Sequence, residues 1–263
     1  MSIIETLGST TVIASDKTGT ITMNKMTLSH ISMYSVHDEN LLGLKVEDLN
    51  DNYKTLLTMA GLCNKAIVEE DEARGMKQFI GSPTECAILK AVCHYVDISK
   101  KRNENPIEFE IPFNSRYKYH LSVHKLTSIS TLPKELKLEV IGNKTHLCVI
   151  KGAPEVIAEL CTFGFNVNKI DSFKHTKEFF LDKAHNLAGI GERVLGIAYT
   201  FVEIPKFDSK VDEMFSENSL PNDFCFYGLV SLIDPPRMGV ADAVTKCHNG
   251  FIKVMMVTGK LNR

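Results

Sequence analysis

Apolar residues recur along the chain in short runs and in helical stripes, and this pattern predicts strands interleaved with helices. A β-branched run over residues 10–15 stops at Asp16, which indicates a buried strand that leads into a loop. Later apolar or alternating runs predict strands at 121–123, 136–141, 147–150, 194–199, 224–232 and 253–257. Gly142 and Asn143 lie between two of these runs and indicate a hairpin turn.

Helical spacing of apolar residues predicts helices over 52–64, from Ser82, from Pro154, over 172–187 and over 238–248. The helix from Ser82 has the clearest start. Ser82 is a candidate N-cap, Pro83 suits the first helical position, and Glu85 completes a Ser-x-x-Glu capping box. The polar stretches 100–106 and 204–223 are predicted loops. The chain is therefore expected to adopt an α/β fold.

Composition narrows the class of protein only a little. With 263 residues, 44% of them apolar and 24% charged, the chain is expected to form one large or two ordinary soluble domains. A formal net charge of -2 gives no basic surface, so nucleic acid is not an expected partner. Seven cysteines without a C-x-x-C pair favour reduced thiols. No signal peptide or run of ~18 apolar residues is present, so we expect a soluble chain.

The motif Asp16-Lys-Thr-Gly-Thr20 follows directly on the first predicted strand and contains a candidate nucleophile, Asp16. A carboxylate at the carboxyl end of a strand lies where α/β sheets bind ligands, and it can attack a γ-phosphorus to form an aspartyl phosphate. Lys17 adds positive charge, Gly19 permits close backbone approach, and Thr18 offers a hydroxyl. The alternative is a surface turn that has this sequence by chance.

Residues 7–27 resemble the phosphorylation-site segment of the type II P-type ATPases, and in particular that of the sodium/potassium and proton/potassium pump α-subunits. Further segments match the family in the same order: 81–87, 111–125, 151–155, 191–196 and 234–237. The resemblance implies a nucleotide-binding domain, an antiparallel sheet flanked by helices, inserted into an incomplete doubly wound phosphorylation domain. It places the phosphorylation domain at 1–24 and 233–263 and the nucleotide-binding domain at 25–232.

The same resemblance implies roles for individual residues. Asp16 is the phosphorylated nucleophile with Lys17 and Thr18 beside it, and Asp16 and Thr18 form part of a Mg²⁺ site. Phe113 stacks on the adenine of ATP, while Gly152 leaves room for the base. The remaining candidate ATP-binding residues are Glu85, Lys118, His120, Lys151, Arg193, Asp234, Arg237, Thr258 and Gly259.

Two of these candidates, Glu85 and Arg193, have two possible roles each, and a third, His120, differs from the residue that the family has. Glu85 either reaches the adenine amino group or serves only the capping box, and Arg193 can bind phosphate or ribose. His120 stands where the pumps have Gln, which puts one adenine hydrogen bond in doubt and predicts a change in binding between about pH 5.5 and 7.5. His120 and His124 would lie about 13 Å apart on a strand, too far for a metal pair.

The resemblance also implies a function. We expect the ATP-binding cytoplasmic portion of a cation pump that couples ATP hydrolysis, through an aspartyl phosphate, to ion transport. The expected cofactors are ATP and Mg²⁺, and the expected partners are the actuator domain, the transmembrane helices and, as in related pumps, a β-subunit. The expected location is the cytoplasmic face of the plasma membrane.

Alternatives to this function follow from one departure at the end of the chain. The family's Thr-Gly-Asp starts at Thr258, but position 260 is Lys and the chain stops at Arg263. A second Mg²⁺ carboxylate is then missing, so we expect this chain to bind ATP without turnover. A non-catalytic ATP-binding module or a truncated product that acts by binding is the alternative. A soluble phosphatase of the same superfamily is a weaker one.

Overall fold

The computed structural model describes residues 8–34, 39–41, 49–71, 76–127, 145–166, 169–204 and 220–258. The chain divides into two compact units. Leu28–Ile233 form the larger unit, and the residues before and after this stretch form the smaller one. The larger unit is therefore an insertion into the smaller one, which is assembled from both ends of the chain.

Strands and helices are interspersed along the described residues. The strands are β1 (Val12–Asp16), β2 (Thr27–Ser32), β3 (Glu39–Asn40), β4 (Ile67–Asp71), β5 (Met76–Ile80), β6 (Ile107–Ile111), β7 (Tyr119–Lys125), β8 (His146–Gly152), β9 (Cys161–Asn166), β10 (Lys169–Ser172), β11 (Arg193–Val202), β12 (Phe224–Ile233) and β13 (Lys253–Val257). The helices are α1 (Asp51–Leu62), α2 (Pro83–Tyr95), α3 (Ile98–Glu104), α4 (Pro154–Leu160), α5 (Lys177–Gly189) and α6 (Val240–Asn249).

A central sheet organises the larger unit. Within the described residues its order is β10-β9-β12-β11-β8-β7-β6, with β2 also paired to β12 and β3 paired to β2. The pairs from β12 to β6 are antiparallel, whereas β12 and β9 pair in parallel. Strands β4 and β5 form a separate hairpin. In the smaller unit, β1 and β13 pair in parallel, with Asp16 opposite Val257.

Helices cover both faces of the central sheet. Alternate residues of β7 and β8, such as Leu121 and Ile150, join α4 and α5 in an apolar core. The residues between them point to the other face because successive side chains of a strand alternate. There Lys151 meets Glu85 at the start of α2, and α2 packs on α1. One face is thus apolar, and the other carries charged groups.

Two helix starts follow from local sequence signals. Ser82 is the N-cap of α2, where its hydroxyl oxygen accepts from the Glu85 amide at 3.3 Å, and Pro83 occupies the first helical position. This confirms the predicted start. Asn50 caps α1 by accepting from the Asn52 amide at 2.9 Å. Side-chain oxygens at these positions satisfy backbone donors that a helix leaves unpaired.

The predicted loop at 100–106 is wrong, because residues 98–104 form helix α3. Asp97 caps this helix by accepting from the Lys100 amide at 3.1 Å, and Ile98 is buried. The guanidinium of Arg102 donates to backbone carbonyls of three residues at the end of α1 and beyond it, which are Gly61, Asn64 and Ala66. Packing against α1 therefore stabilises a helix whose own sequence is polar.

Other predicted elements differ in their limits or lie outside the described residues. The helix predicted over 172–187 is a short 3₁₀ turn, Phe173–His175, followed by α5. The strand at 136–141, its Gly142-Asn143 turn and most of the loop at 204–223 lie outside the described residues. None of the helices in the described ranges combines the length and apolarity needed to cross a membrane.

Candidate functional site

The strand register gathers most of the candidates of the larger unit at one end of its sheet. β6 ends at Ile111 and β7 begins at Tyr119, so the loop between them turns at this end. Tyr119 is paired with Gly152 at the end of β8, and Gly152 is paired with Gly196 near the start of β11. This end of the sheet therefore carries the candidates Phe113, Lys118, His120, Lys151 and Arg193.

Phe113 presents a large aromatic ring to solvent. Its side chain lies in the loop after β6, and the residue is 61% exposed. The loop is folded on itself, because the Asn114 carbonyl accepts from the Lys118 amide at 2.7 Å and the Asn114 side chain accepts from the Arg116 amide at 2.8 Å. Lys118 is exposed and has a φ of 59°. An ordered turn that displays an apolar ring is a candidate surface for stacking.

A buried ion pair lies beside this loop. Lys151 is only 5% exposed, and its ammonium donates to Glu85 Oε1 at 3.1 Å. Glu85 also accepts from the Lys65 amide at 3.3 Å. The capping role of Glu85 is present, because its amide takes part in the cap of α2. Its carboxylate binds Lys151, and a contact to the adenine amino group stays a prediction. A charged lysine buried in this way requires such a partner.

His120 belongs to the same group of charges. The residue is 1% exposed, its Nε2 lies 2.6 Å from Glu110 Oε1, and its Nδ1 lies 3.5 Å from Glu85 Oε1. Glu110 in turn lies 3.1 Å from the Lys65 ammonium. Glu110 and Lys65 were missed from the sequence. The alternation of polar and apolar residues through β6 was the available signal for Glu110.

These contacts favour the charged forms of His120 and Glu85. Burial alone would lower the pKa of His120, but interactions with the Cys63 sulfur and the Glu85 carboxylate raise it to about 10. Burial alone would raise the pKa of Glu85, but His120 and Lys151 lower it to about 2. A pKa raised in this way does not favour the change in ATP binding expected between about pH 5.5 and 7.5, which stays a prediction.

Gly152 serves the sheet itself. A Cβ at this position would lie 2.3 Å from the Lys118 carbonyl oxygen and 2.8 Å from the Tyr119 Cα, both backbone atoms of the neighbouring strand. The Ala153 amide donates to the same carbonyl at 3.0 Å and fixes the approach. The absence of a side chain is thus required by the β7–β8 contact, whatever room it also leaves for a ligand.

Arg193 is exposed at the first position of β11. Its Nη1 donates to the Thr84 hydroxyl at 2.7 Å, in the first turn of α2. The guanidinium therefore lies beside the helix start that carries Glu85. Its remaining donors are those that an anion or a hydroxyl can use.

In the smaller unit, Asp16 ends β1 and is exposed. The following residues, Lys17–Ile21, form an irregular helical turn in which Gly19 has a φ of 80°. That left-handed conformation favours glycine. Lys17 is half-buried and Thr18 is exposed. Among the residues that the structure covers, no group of three or more His, Cys, Asp or Glu side chains has a metal-binding arrangement.

Asp234 and Arg237 support the turn after Asp16. Asp234 accepts from the Thr22 hydroxyl at 2.6 Å and from the Lys25 amide at 3.0 Å. Arg237 donates to the Gly19 carbonyl at 2.7 Å. Asp234 and Arg237, both predicted to bind the nucleotide, thus have protein partners in the smaller unit. Of the last two candidates, Thr258 is exposed and Gly259 lies outside the described residues.

The two units together define a class of protein. A helix-covered antiparallel sheet, with an exposed aromatic ring beside a buried ion pair, is inserted into a unit whose first strand ends in an exposed aspartate. Residues 52–239 match the profile of the family described as "P-type ATPase, cytoplasmic domain N". The chain belongs to this family. The predicted family and the predicted α/β fold, an antiparallel sheet flanked by helices, are confirmed.

The individual proteins that this chain resembles include α-subunits of sodium/potassium-transporting ATPases. The chain is 38% identical to the sodium/potassium-transporting ATPase subunit alpha-4 of Homo sapiens and to the subunit alpha of Tetronarce californica, and 37% identical to subunit alpha-2 of Gallus gallus. Each match covers 97% of this chain and 25% of the relative. The chain thus spans about a quarter of the length of the curated relatives it matches.

Proposed function

We propose that this chain is the ATP-binding cytoplasmic portion of a cation-transporting P-type ATPase. In this proposal the whole protein couples ATP hydrolysis, through an aspartyl phosphate at Asp16, to ion transport. Sodium and potassium are the proposed ions because the similar proteins are named for them. The observation that carries the proposal is the exposed Phe113 ring at the sheet end where Lys151 is buried against Glu85.

ATP binding in the larger unit would use stacking and charge. The Phe113 ring offers a face to adenine, and such base–aromatic stacking is worth roughly 1–3 kcal/mol. The exposed Lys118 and Arg193 supply positive charge for the phosphates, and the planar guanidinium of Arg193 can bind an anion through two donors. The Glu85 carboxylate, held beside this surface by Lys151, is an acceptor for the adenine amino group.

Phosphoryl transfer would use the smaller unit. The Asp16 carboxylate oxygen bonds to the γ-phosphorus of ATP as the bond to the bridging oxygen of ADP breaks. Lys17 lies next in sequence and offsets negative charge on the transferred group. Asp16 and Thr18 are oxygen ligands that suit Mg²⁺, which neutralises phosphate charge when bound. Asp234 accepts from the Thr22 hydroxyl and the Lys25 amide and so supports this turn, while its contact with ATP stays a prediction.

The proposed partners are the remaining parts of such a pump: its actuator domain, its transmembrane helices and a β-subunit. The proposed location is the cytoplasmic face of the plasma membrane.

An acid-quench experiment on the full-length protein tests the proposed phosphorylation of Asp16. Radiolabelled ATP should give an acid-stable, hydroxylamine-sensitive label that Asp16→Asn abolishes, and an unchanged label in Asp16→Asn would refute the assignment.

Nucleotide binding by the 263-residue chain tests the proposed site. Phe113→Ala should weaken ATP binding by roughly 1–3 kcal/mol, about fivefold to 150-fold, in an NMR or fluorescent-nucleotide titration. Stability should hardly change because the ring is exposed. Phe163→Ala is the matched control, since Phe163 is 41% exposed on β9, which pairs with the opposite end of β12. Equal ATP affinity in Phe113→Ala and wild type would contradict the site.

A further inference from the structure

Glu192 carries a buried carboxylate one residue before Arg193. Its side chain is 3% exposed, and both of its oxygens lie 3.0 Å from His30 Nδ1. Oε2 also accepts from the Ser231 hydroxyl. The proposed nucleotide site does not use this carboxylate directly, although burying a charge requires partners as well placed as these.

The partners of Glu192 come from two further strands. His30 lies on β2 and Ser231 lies on β12. The Ser29 hydroxyl joins the same group, because it donates to the Ser231 carbonyl at 3.2 Å. Glu192 therefore ties the turn before β11 to two neighbouring strands through buried side chains.

The backbone of this turn is held as well. The Glu192 amide donates to the Leu187 carbonyl at 3.2 Å, and the Gly191 amide donates to the Ala188 carbonyl at 3.0 Å. Gly191 has a φ of 90°, a conformation that other residues rarely adopt. The chain thus leaves α5 along one defined path and enters β11 at Arg193.

Fixing Glu192 also fixes the direction of the next side chain. Glu192 lies directly before β11 and is buried, whereas Arg193, the first residue of that strand, is exposed, so the two side chains leave the backbone in different directions. Arg193 is paired with Leu232, and its guanidinium then reaches the Thr84 hydroxyl at 2.7 Å. A small rotation at Glu192 would move the guanidinium by a larger distance because the arginine side chain is long.

We propose that Glu192 is a positioning residue for Arg193, holding its guanidinium at the phosphate side of the nucleotide site through His30 and Ser231. The inference rests on the proposed function. It assigns no ligand contact to Glu192 itself. Loss of the Glu192 carboxylate should therefore weaken ligands that carry phosphates and spare adenosine, whose proposed contacts are with Phe113 and Glu85.

The test compares ATP and adenosine in titrations of the 263-residue chain. Arg193→Ala should weaken ATP about tenfold, and Glu192→Ala about fivefold, with adenosine unchanged in both. The double variant Glu192→Ala/Arg193→Ala should bind ATP no more weakly than Arg193→Ala, because one residue acts through the other. Glu108→Gln is the matched control, since Glu108 makes a similar contact of 2.7 Å to His146, and it should leave ATP affinity unchanged.

A ligand-free measurement separates this inference from the proposed function. Amide hydrogen exchange at Arg193 should accelerate in Glu192→Ala and not in Glu108→Gln. If Glu192→Ala does not fold, Ser231→Ala takes its place, because it removes only one hydroxyl. Exchange at Arg193 is then compared between Ser231→Ala and Glu108→Gln. Unchanged exchange at Arg193, additive losses in the double variant, or equal losses for ATP and adenosine would each overturn the positioning role. Wild-type chain that binds neither ligand would instead refute the nucleotide site and this inference with it.

Discussion

Gly152→Ala isolates a steric requirement at the centre of the site. The new Cβ would lie 2.3 Å from the Lys118 carbonyl oxygen and 2.9 Å from the Tyr119 Cβ. The carbonyl cannot move freely, because it accepts from the Ala153 amide, and Tyr119 is buried. Inserting a methyl group into packed surroundings costs roughly 1–3 kcal/mol. Backbone contacts this short place Gly152→Ala near 3 kcal/mol.

Thermal unfolding monitored by circular dichroism measures this cost. For units of 150–250 residues, 1 kcal/mol shifts Tm by about 2–4 °C, so Gly152→Ala should lower Tm by about 6–12 °C. Gly189→Ala is the control, because Gly189 ends α5 and nothing lies within 4 Å of a Cβ added there. That change should leave Tm unchanged or slightly raised, since alanine favours helix.

The result also separates two explanations for Gly152. If the glycine serves only to leave room for a base, Gly152→Ala should lose ATP affinity and keep its Tm. If the strand contact requires it, as the distances indicate, the loss of Tm should occur without any ligand. An unchanged Tm in Gly152→Ala would refute the steric reasoning.

Two further predictions concern stability. The free energy of unfolding should fall as pH rises from about 6.5 towards 10, because the raised pKa of His120 makes its charged contacts favourable only while the imidazolium persists. It should also fall as pH drops from about 4.5 towards 2, because the pKa of Glu85 is lowered. Urea midpoints measured across this range should lose the alkaline part of the fall in His120→Gln, and a profile identical to wild type would contradict this prediction. Arg102→Ala should destabilise the chain by at least about 2 kcal/mol in urea unfolding, because it leaves carbonyls at the end of α1 and after it without their donor. The exposed Arg116→Ala should stay within about 0.5 kcal/mol, and equal midpoints for the two variants would contradict this prediction.

Local signals in the sequence were enough for several elements and for the family. The β-branched run before Asp16 and the apolar run at 224–232 are strands, and Ser82 with Pro83 marks the start of a helix. The predicted burial of the first strand is wrong, because Val12 and Ile13 are exposed. Each of these signals lies within a few residues of the element it predicts. The grouping of Glu85 with Lys151 also follows from segments that match the family, although their 3.1 Å contact required the structure.

Features that depend on distant residues could not be predicted. Helix α3 forms because Arg102 reaches carbonyls about 40 residues earlier, which no local pattern shows. The charge of His120 depends on Glu85, Glu110 and Cys63, which come from separate elements. Glu192 has no motif of its own, because its partners lie on β2 and β12.

The insertion of the larger unit sets an order for folding. Partners on β1 and β13 lie roughly 240 residues apart in sequence, and closing a loop of that length carries a large entropic cost. Once β2 and β12 have paired, the chain that remains to be closed is only about 40 residues, which lowers that cost by about 1.6 kcal/mol. The contiguous larger unit is thus expected to fold first during synthesis, and the strand that ends in Asp16 must wait for β13. A slow phase that reports on β1, and that disappears when refolding starts from an intact larger unit, would be the kinetic signature of this arrangement.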